Sequence, residues 1–422
     1  MSIHMRASVA VALADRVAVE EAVRIDLQPR PTTPITSRWP VHETDEIGIV
    51  SEVLRSGRVN ALHHGERTAA FETAFARLVG LPHAIAVANG TLALELALHA
   101  LGFGPGDEVI VPARSFIASA SCVAAVGATP IFADVDSDTQ GLTVESVAAA
   151  LTPRTKAIIA VHIAGWPCEI AAIARFAGEL GLKLIEDCAQ AHGATLGGGV
   201  AGSFGDAAAF SFCTDKIMST GGEGGLLLLR DEEAWSAAWS RKDHGKSPQY
   251  GSVSGSPGVF RWLHERLGTN LRLTEMQSAI GLLQLGKLKG WLTARRANAE
   301  RLNRALAHLP SVRLTLPPAD VGHAYYKYYA FLRPEELRPG YSRDLVLSRL
   351  IAAGVPAGSG ICPEIYRERA FDGSSSVPER RLPVCQMLGE TSLMFPVDPT
   401  LDAEQMEDMA ARTAFVIAEA TR

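Results

Sequence analysis

Between residues 84 and 187 the chain alternates short apolar runs with longer stretches whose apolar residues recur every three or four positions. Short apolar runs predict buried strands, whereas the wider spacing predicts amphipathic helices. The predicted strands are 84–88, 109–112, 130–134, 157–162 and 180–187, and the predicted helices are 91–100, 116–126, 143–151 and 169–180. Such alternation is typical of a parallel sheet with helices on both faces, so the pattern predicts an α/β fold.

The pattern changes on both sides of this region. Further helices are predicted at 43–56, 66–79, 232–246, 268–285, 294–309 and 343–353, and buried strands at 207–212, 226–229 and 325–332. Residues 1–38 are interrupted by charged residues and prolines, which predicts a poorly ordered extension. We therefore expect a large α/β domain over 39–290 and a small C-terminal α+β domain over 291–422.

Composition narrows the class of protein. The 422 residues are 47% hydrophobic and 20% charged, which allows a large core, and the formal net charge of −6 argues against nucleic acid as the main partner. The six cysteines show no Cys-x-x-Cys spacing, which favours reduced thiols in the cytoplasm over a disulfide framework or a zinc site. Asp134 and Asp136 resemble a metal-binding pair, but we interpret them as strand-end and turn residues, so no metal site is predicted. No apolar run approaches the roughly 20 residues of a membrane span.

One lysine, Lys216, lies between two apolar runs and before a glycine-rich turn. A lysine between buried strands is well placed to act as a nucleophile if its surroundings depress its pKa. The alternative is a solvent-exposed lysine in a hairpin loop, since glycine-rich loops that carry lysine are common.

Asp187 ends an earlier predicted strand. A carboxylate and a lysine at the ends of two strands of one sheet can face the same crevice, which is where ligands of open α/β sheets bind. Pyridoxal 5′-phosphate (PLP) needs this pair, because the lysine binds its aldehyde and the carboxylate keeps its ring nitrogen protonated. The two residues together favour a PLP enzyme.

Several motifs in order resemble the DegT/DnrJ/EryC1/StrS family of PLP-dependent sugar aminotransferases. They are Asn89-Gly-Thr91, Gly106-Asp-Glu-Val-Ile-Val-Pro112, Glu186-Asp-Cys-Ala-Gln-Ala-His-Gly193, Phe210-Ser-Phe212 with Lys216, Gly222-Glu-Gly-Gly225 and Asn270-Leu-Arg-Leu-Thr-Glu-Met-Gln277. The resemblance implies the type I PLP-dependent aminotransferase fold, with a mostly parallel seven-stranded sheet in the large domain. Most relatives have serine where this chain has Asn89, which is a small departure.

The resemblance also implies roles for individual residues. Lys216 and Asp187 would be catalytic, and the cofactor would be bound by Gly90, Thr91, Phe116, His162, Asp187, Gln190, Ser211, Lys216 and Asn270. Within that set, Thr91 and Ser211 would contact the phosphate, Phe116 would stack on the ring and Gln190 would contact the ring oxygen. Thr91 is also an ordinary helix N-cap. The resemblance places Asn270 across a homodimer interface, where it would reach the partner's phosphate.

The family implies transfer of an amino group from glutamate or glutamine to a keto sugar, usually nucleotide-linked, in amino-sugar or secondary-metabolite biosynthesis. A keto-cyclitol of an antibiotic pathway is the alternative acceptor. Dehydratases of the family carry histidine at the lysine position, so Lys216 argues against that branch. A non-catalytic PLP-binding regulatory protein is a further alternative, but no helix-turn-helix pattern or basic domain supports it. The basic cluster 241–246 is either a solvated face or a contact for an anionic substrate.

Overall fold

The computed structural model describes residues 33–61, 65–249 and 262–422. The predicted extension at 1–38 therefore lies outside the described residues up to residue 32. Residues 33–38 are held against the C-terminal part of the chain, because Ile35 N donates to Gly354 O at 2.9 Å and Ser37 Oγ donates to Asp398 Oδ2 at 2.7 Å.

A seven-stranded sheet forms the centre of the molecule, as predicted. Its strands are β1 (His83–Val87), β2 (Glu108–Pro112), β3 (Thr129–Ala133), β4 (Thr155–Val161), β5 (Lys183–Asp187), β8 (Ala207–Ser211) and β9 (Gly225–Leu229). Their order across the sheet is β1-β9-β8-β5-β4-β2-β3. Neighbouring strands run parallel from β8 to β3, and β9 alone is antiparallel to both of its neighbours. The prediction of a mostly parallel sheet in an α/β fold is confirmed.

Helices cover both faces of this sheet, and the ends of many of these helices are explained by the local sequence. The helices of this part are α1 (Thr44–Ser56), α2 (Glu66–Val79), α3 (Gly90–Ala100), α4 (Ala118–Ala125), α5 (Val144–Ala150), α6 (Ile170–Glu179) and α7 (Glu232–Lys242). Gly57 and Gly80 end α1 and α2 in the left-handed conformation that glycine adopts without strain. Thr143 begins α5 with a capping box in which its side chain accepts from Ser146 N.

A second core lies in the C-terminal part. A small sheet of order β10-β12-β13 packs against helices at the end of the chain. The elements of this part are β10 (Val312–Arg313), β12 (Tyr328–Leu332), α9 (Arg343–Ala352), α10 (Pro383–Thr391), β13 (Ser392–Phe395) and α11 (Ala403–Ala420). A separate small sheet consists of β6 (Thr195–Leu196), β7 (Gly199–Val200) and β11 (Val321–Gly322). This α+β arrangement agrees with the predicted character of residues beyond 291.

One helix connects the two parts. The sequence predicts separate helices at 268–285 and 294–309, but the structure has a single helix, α8 (Glu275–Leu306), across both. It contains no proline, and Gly286 and Gly290 face open space, where glycine only weakens a helix by about 1 kcal/mol each. The predicted domain boundary at 290 therefore falls inside a continuous helix, and the domain division stays a prediction. Among the described helices, none has the length and apolarity needed to cross a bilayer.

Candidate active site

A cavity of about 850 Å³ opens at the carboxyl ends of the parallel strands. Val161, Asp187 and Ser211, which end β4, β5 and β8, all line it, as do residues of the C-terminal part. This is the edge at which ligands of open α/β sheets bind. Seven of the nine predicted site residues line the cavity, namely Gly90, Thr91, Phe116, Asp187, Gln190, Ser211 and Lys216.

One wall of the cavity is the start of helix α3. The predicted cap at Thr91 is wrong, because Asn89 is the cap and its Oδ1 accepts from Leu92 N at 2.9 Å. Asn89 has the extended backbone that an N-cap requires, whereas Thr91 is already helical. Gly90 and Thr91 supply first-turn amides, which have no acceptor within the helix and attract anions.

Close backbone packing holds this helix start beside Ser211. A Cβ added to Gly90 would lie 2.7 Å from Ser211 Cβ, so glycine is required for the approach. The Ser211 hydroxyl accepts from Cys213 N at 3.4 Å. A hydroxyl and free helix amides at one point can hold a phosphate group.

Asp187 is a buried carboxylate at the end of β5. Its Oδ2 accepts from Ser119 Oγ at 2.9 Å, and its Oδ1 accepts from Ala189 N at 3.1 Å. Burial raises the pKa of Asp187, although the bonds from Ala189 and Ser119 and the charge of Lys216 oppose that shift. A cationic ligand group beside Asp187 would offset the cost of burying its charge.

Lys216 lies in the connection between β8 and β9, and its side chain is 18% exposed. Its Nζ is 3.3 Å from Asp215 Oδ1 and 5.0 Å from the centre of the Tyr326 ring. The indole Nε1 of Trp39 donates to Lys216 O at 2.7 Å. The lysine is therefore fixed from three directions at the wall of the cavity.

Asp215 and Tyr326 are site residues that the sequence reasoning missed. The Tyr326 hydroxyl donates to Asp215 Oδ2. Burial opposes ionisation of Asp215, but Lys216, the Tyr326 hydroxyl and Lys327 outweigh it and lower the pKa of that carboxyl. Adjacency to Lys216 could have pointed to Asp215, whereas no local signal marks Tyr326.

Gln190 and Phe116 line the same cavity. Gln190 Oε1 accepts from Ala164 N at 2.7 Å, which leaves its amide nitrogen for a ligand. Phe116 lies in the irregular connection just before α4 and not inside a helix as predicted, and it is 62% exposed. An aromatic face open at a cavity can stack on a planar ligand.

Two predicted site residues, His162 and Asn270, do not line the cavity. His162 is fully buried behind it, where Nε2 is 3.0 Å from Glu186 Oε2 and Nδ1 accepts from Cys168 N at 3.3 Å. Burial opposes the charge on His162, but hydrogen bonds to Cys168, Cys188 and Glu186 prevail and raise its pKa. The backbone N of His162 donates to Asp187 O at 3.2 Å, so this residue supports Asp187 from behind.

Asn270 is exposed on a segment that pairs with Asp243. Its Oδ1 accepts from Arg272 N at 3.3 Å. The side chains of Lys242 and Arg272 both form ion pairs with buried Asp243, so part of the predicted basic cluster is structural. Asn270 stands apart from the cavity of its own chain.

His192, which follows Asp187 closely in sequence, forms no hydrogen bond to it. Its ring nitrogens have no hydrogen-bond partner among the described residues, and the ring packs in an aromatic cluster with Phe75, Phe210 and Phe212. Burial lowers the pKa of His192 to about 3, so the ring is neutral.

Known proteins resemble this chain in sequence and in structure. The model of the DegT/DnrJ/EryC1/StrS aminotransferase family matches residues 40–413. A UDP-N-acetyl-3-dehydro-alpha-D-glucosamine 3-aminotransferase from Acidithiobacillus ferrooxidans is 37% identical over 355 residues, which cover 84% of this chain and 88% of that protein. A dTDP-4-dehydro-2,3,6-trideoxy-D-glucose 4-aminotransferase from Saccharopolyspora spinosa is 35% identical over 387 residues, which cover 89% and 95%. The X-ray structure of an aminotransferase from Psychrobacter cryohalolentis is 46% identical with a TM-score of 0.89, and the match covers 91% of this chain and 99% of that one.

Proposed function

The chain belongs to the DegT/DnrJ/EryC1/StrS aminotransferase family, and from this premise we propose that it transfers an amino group from glutamate or glutamine to a nucleotide-linked keto sugar. Both named relatives act on nucleotide-linked dehydro sugars, which supports this acceptor class and a place in amino-sugar biosynthesis. The observation that carries the proposal is that Lys216, Asp187 and Ser211 open on one cavity.

The residues of the cavity fit PLP as the cofactor. The helix start at Gly90 and Thr91, packed on Ser211, would hold its phosphate, and Asp187 would hold its protonated ring nitrogen. Phe116 would stack on the ring and Gln190 would contact the ring oxygen. Bound there, the cofactor supplies an electron sink for negative charge on the carbon that carries the amino group.

The protein's own part in the reaction is proton transfer and positioning. Lys216 Nζ would hold the cofactor at rest, and as a free amine it would take the proton from the reacting carbon in one half-reaction and give a proton to it in the reverse half-reaction. Asp215 Oδ1, 3.3 Å away, keeps this nitrogen in place, and the Tyr326 hydroxyl fixes the other oxygen of Asp215. Asp187 would keep the ring nitrogen protonated, because the buried carboxylate favours a positive charge beside it.

The proposed enzyme is a homodimer whose sites are shared. Asn270 lies on an exposed segment in which Trp262 and Leu267 are 92% and 93% exposed, which supports an interface at this surface. Asn270 would complete the phosphate site of the partner. The six cysteines are all unpaired, which supports a reducing compartment, and we propose the cytoplasm.

Absorbance spectroscopy tests the proposal. The purified protein with PLP should show the visible band of lysine-bound cofactor, and L-glutamate should convert it to the band of the amine form. Lys216→Ala should lose the visible band, whereas Lys156→Ala, a change of an exposed lysine on β4, should keep it. A wild-type spectrum without the band, or full activity of Lys216→Ala, would contradict the assignment.

Subunit mixing tests the shared site. Lys216→Ala and Asn270→Ala should each be nearly inactive as homodimers. Mixed under conditions that exchange subunits, they should recover activity, because one site of the heterodimer then contains both wild-type residues. No recovery in a proven heterodimer would show that Asn270 does not serve the partner's site.

A further inference from the structure

A second lysine, Lys327, lines the cavity directly before strand β12. Its Nζ lies 5.1 Å from the centre of the Tyr326 ring, and Lys216 Nζ lies 5.0 Å from the same point. The two nitrogens are therefore at most about 10 Å apart. A ligand of the size of an amino acid or a sugar can contact both at once.

The ammonium of Lys327 lacks a hydrogen-bond acceptor among the described residues. Within the described part of the chain it forms no hydrogen bond and no ion pair, and its contact is with the ring of Tyr326. Burial lowers the pKa of Lys327, although the charge of Asp215 opposes that shift. A partly desolvated cation without a hydrogen-bond acceptor is a ready site for an anion, because binding restores the lost solvation.

The charged residues that line the cavity leave Lys327 available to bind an anion. Among the lining residues in the described part of the chain, the cations are Lys216 and Lys327, and the carboxylates are Asp187, Asp215 and Glu223. Lys216 is occupied by the cofactor in the proposed function. A nearby arginine, Arg114, is fully buried outside the lining, and its Nε donates to Gln140 Oε1 at 2.9 Å. Lys327 is therefore the lining cation left for a substrate.

We propose that Lys327 is the anion-binding residue of this cavity and receives the carboxylate of the amino donor or the diphosphate of the nucleotide-linked acceptor. The inference rests on the proposed function, in which both substrates carry anionic groups. The Tyr326 ring holds the ammonium by a cation–π contact, so less freedom is lost when an anion binds. Lys327 is thus a specificity residue that acts on substrate binding and leaves proton transfer to Lys216.

Calorimetric binding to the protein with PLP present tests the inference. The probes are glutarate, a dicarboxylate without an amino group, and UDP, a nucleoside diphosphate without a sugar. Lys327→Gln should weaken one or both probes roughly 10- to 100-fold, the value of one charge-assisted hydrogen bond. Lys327→Arg should restore most of the affinity, and Lys156→Gln, which changes the net charge equally, should leave both probes unaffected. In turnover, the KM of the affected substrate should rise with kcat nearly constant.

The two probes identify the source of the anion. Loss of glutarate binding alone would show that Lys327 binds the donor carboxylate, and loss of UDP binding alone would show that it binds the diphosphate of the acceptor. Loss of both would show that the two substrates use Lys327 one after the other. Unchanged binding of both probes to Lys327→Gln would overturn the inference. If that variant does not fold, Lys327→Met, which keeps the apolar stem, replaces it. Binding needs no turnover, so a Lys327-dependent anion site in a protein without amino transfer would refute the proposed function alone.

Discussion

Gly225 begins strand β9 where that strand meets the start of helix α3, and replacing it with alanine tests how the phosphate site is built. An added Cβ would lie 2.3 Å from both C and O of Asn89 and 2.8 Å from Gly90 N. Carbon atoms in contact normally lie about 3.5–4.0 Å apart, so the two backbones must separate by roughly 1 Å. All three contacted atoms belong to the backbone, so no side chain can turn aside to relieve the contact.

The separation should affect stability and cofactor binding together. Overpacking of this kind costs about 1–3 kcal/mol of unfolding free energy. The helix start would also move away from Ser211, and the loss of one hydrogen bond to a charged group costs roughly 10- to 100-fold in affinity. We expect Gly225→Ala to weaken PLP binding by about this factor and to weaken the binding of pyridoxal, which lacks the phosphate, much less.

Urea unfolding and absorbance titrations with PLP and pyridoxal measure these effects. Gly290→Ala is the matched control, because its added Cβ meets nothing within 4 Å on helix α8 and should stabilise by up to about 1 kcal/mol. An unfolding midpoint and a PLP affinity equal to wild type in Gly225→Ala would refute the reasoning. Equal losses for PLP and pyridoxal would refute the link to the phosphate.

Two further predictions concern contacts around the site. Trp39→Phe removes the indole donor to Lys216 O and keeps an aromatic ring beside Trp291. The free energy of unfolding should fall by about 1 kcal/mol in urea, and turnover should fall several-fold in steady-state kinetics. Unchanged turnover would show that this hydrogen bond does not position the lysine. Burial opposes ionisation of Asp243, but Lys242 and Arg272 prevail and lower its pKa, so Asp243→Asn should cost about 3 kcal/mol at pH 7. The pKa of Asp243 is lower in the folded protein than in the unfolded chain, so the loss of stability should be fully present above the unfolded pKa of about 3.9. It should vanish as the pH falls through the folded pKa of Asp243. A loss of stability that does not depend on pH would contradict the charge argument.

Local patterns predicted much of the large sheet and the position of Lys216. The apolar run before Lys216 became β8, and the four leucines after it became most of β9, because fully buried strands leave a continuous apolar signal. The same reasoning failed where two local signals competed. It chose Thr91 as the cap although Asn89 takes that role, and it divided α8, in which tertiary packing outweighs the low helix propensity of two glycines.

The surroundings of Lys216 could not be predicted from local pattern. Tyr326 and Asp215 are 111 positions apart, and Trp39 and Lys216 are 177 positions apart. Trp39 and Tyr326 have an ordinary interpretation as core or turn residues when only their neighbours in sequence are considered. The fold brings them to Lys216, so their part in the site becomes visible only from coordinates.

The wall that carries Tyr326 and Lys327 is fixed to the large sheet, which bears on how the cavity can work. Ala324 N donates to Gly165 O at 2.9 Å and Tyr326 N donates to Ala164 O at 2.8 Å, immediately after β4. Gly165 permits this approach, because its φ is +91° and an added Cβ would lie 2.8 Å from Ala324 Cβ. A wall held in this way keeps the Tyr326 hydroxyl and the Lys327 ammonium in place before any ligand arrives, so little reorganisation is needed on binding. Discrimination among substrates should therefore depend on the fixed charges of this wall. Any adjustment of the cavity to a substrate would have to come from the exposed side, which carries Phe116.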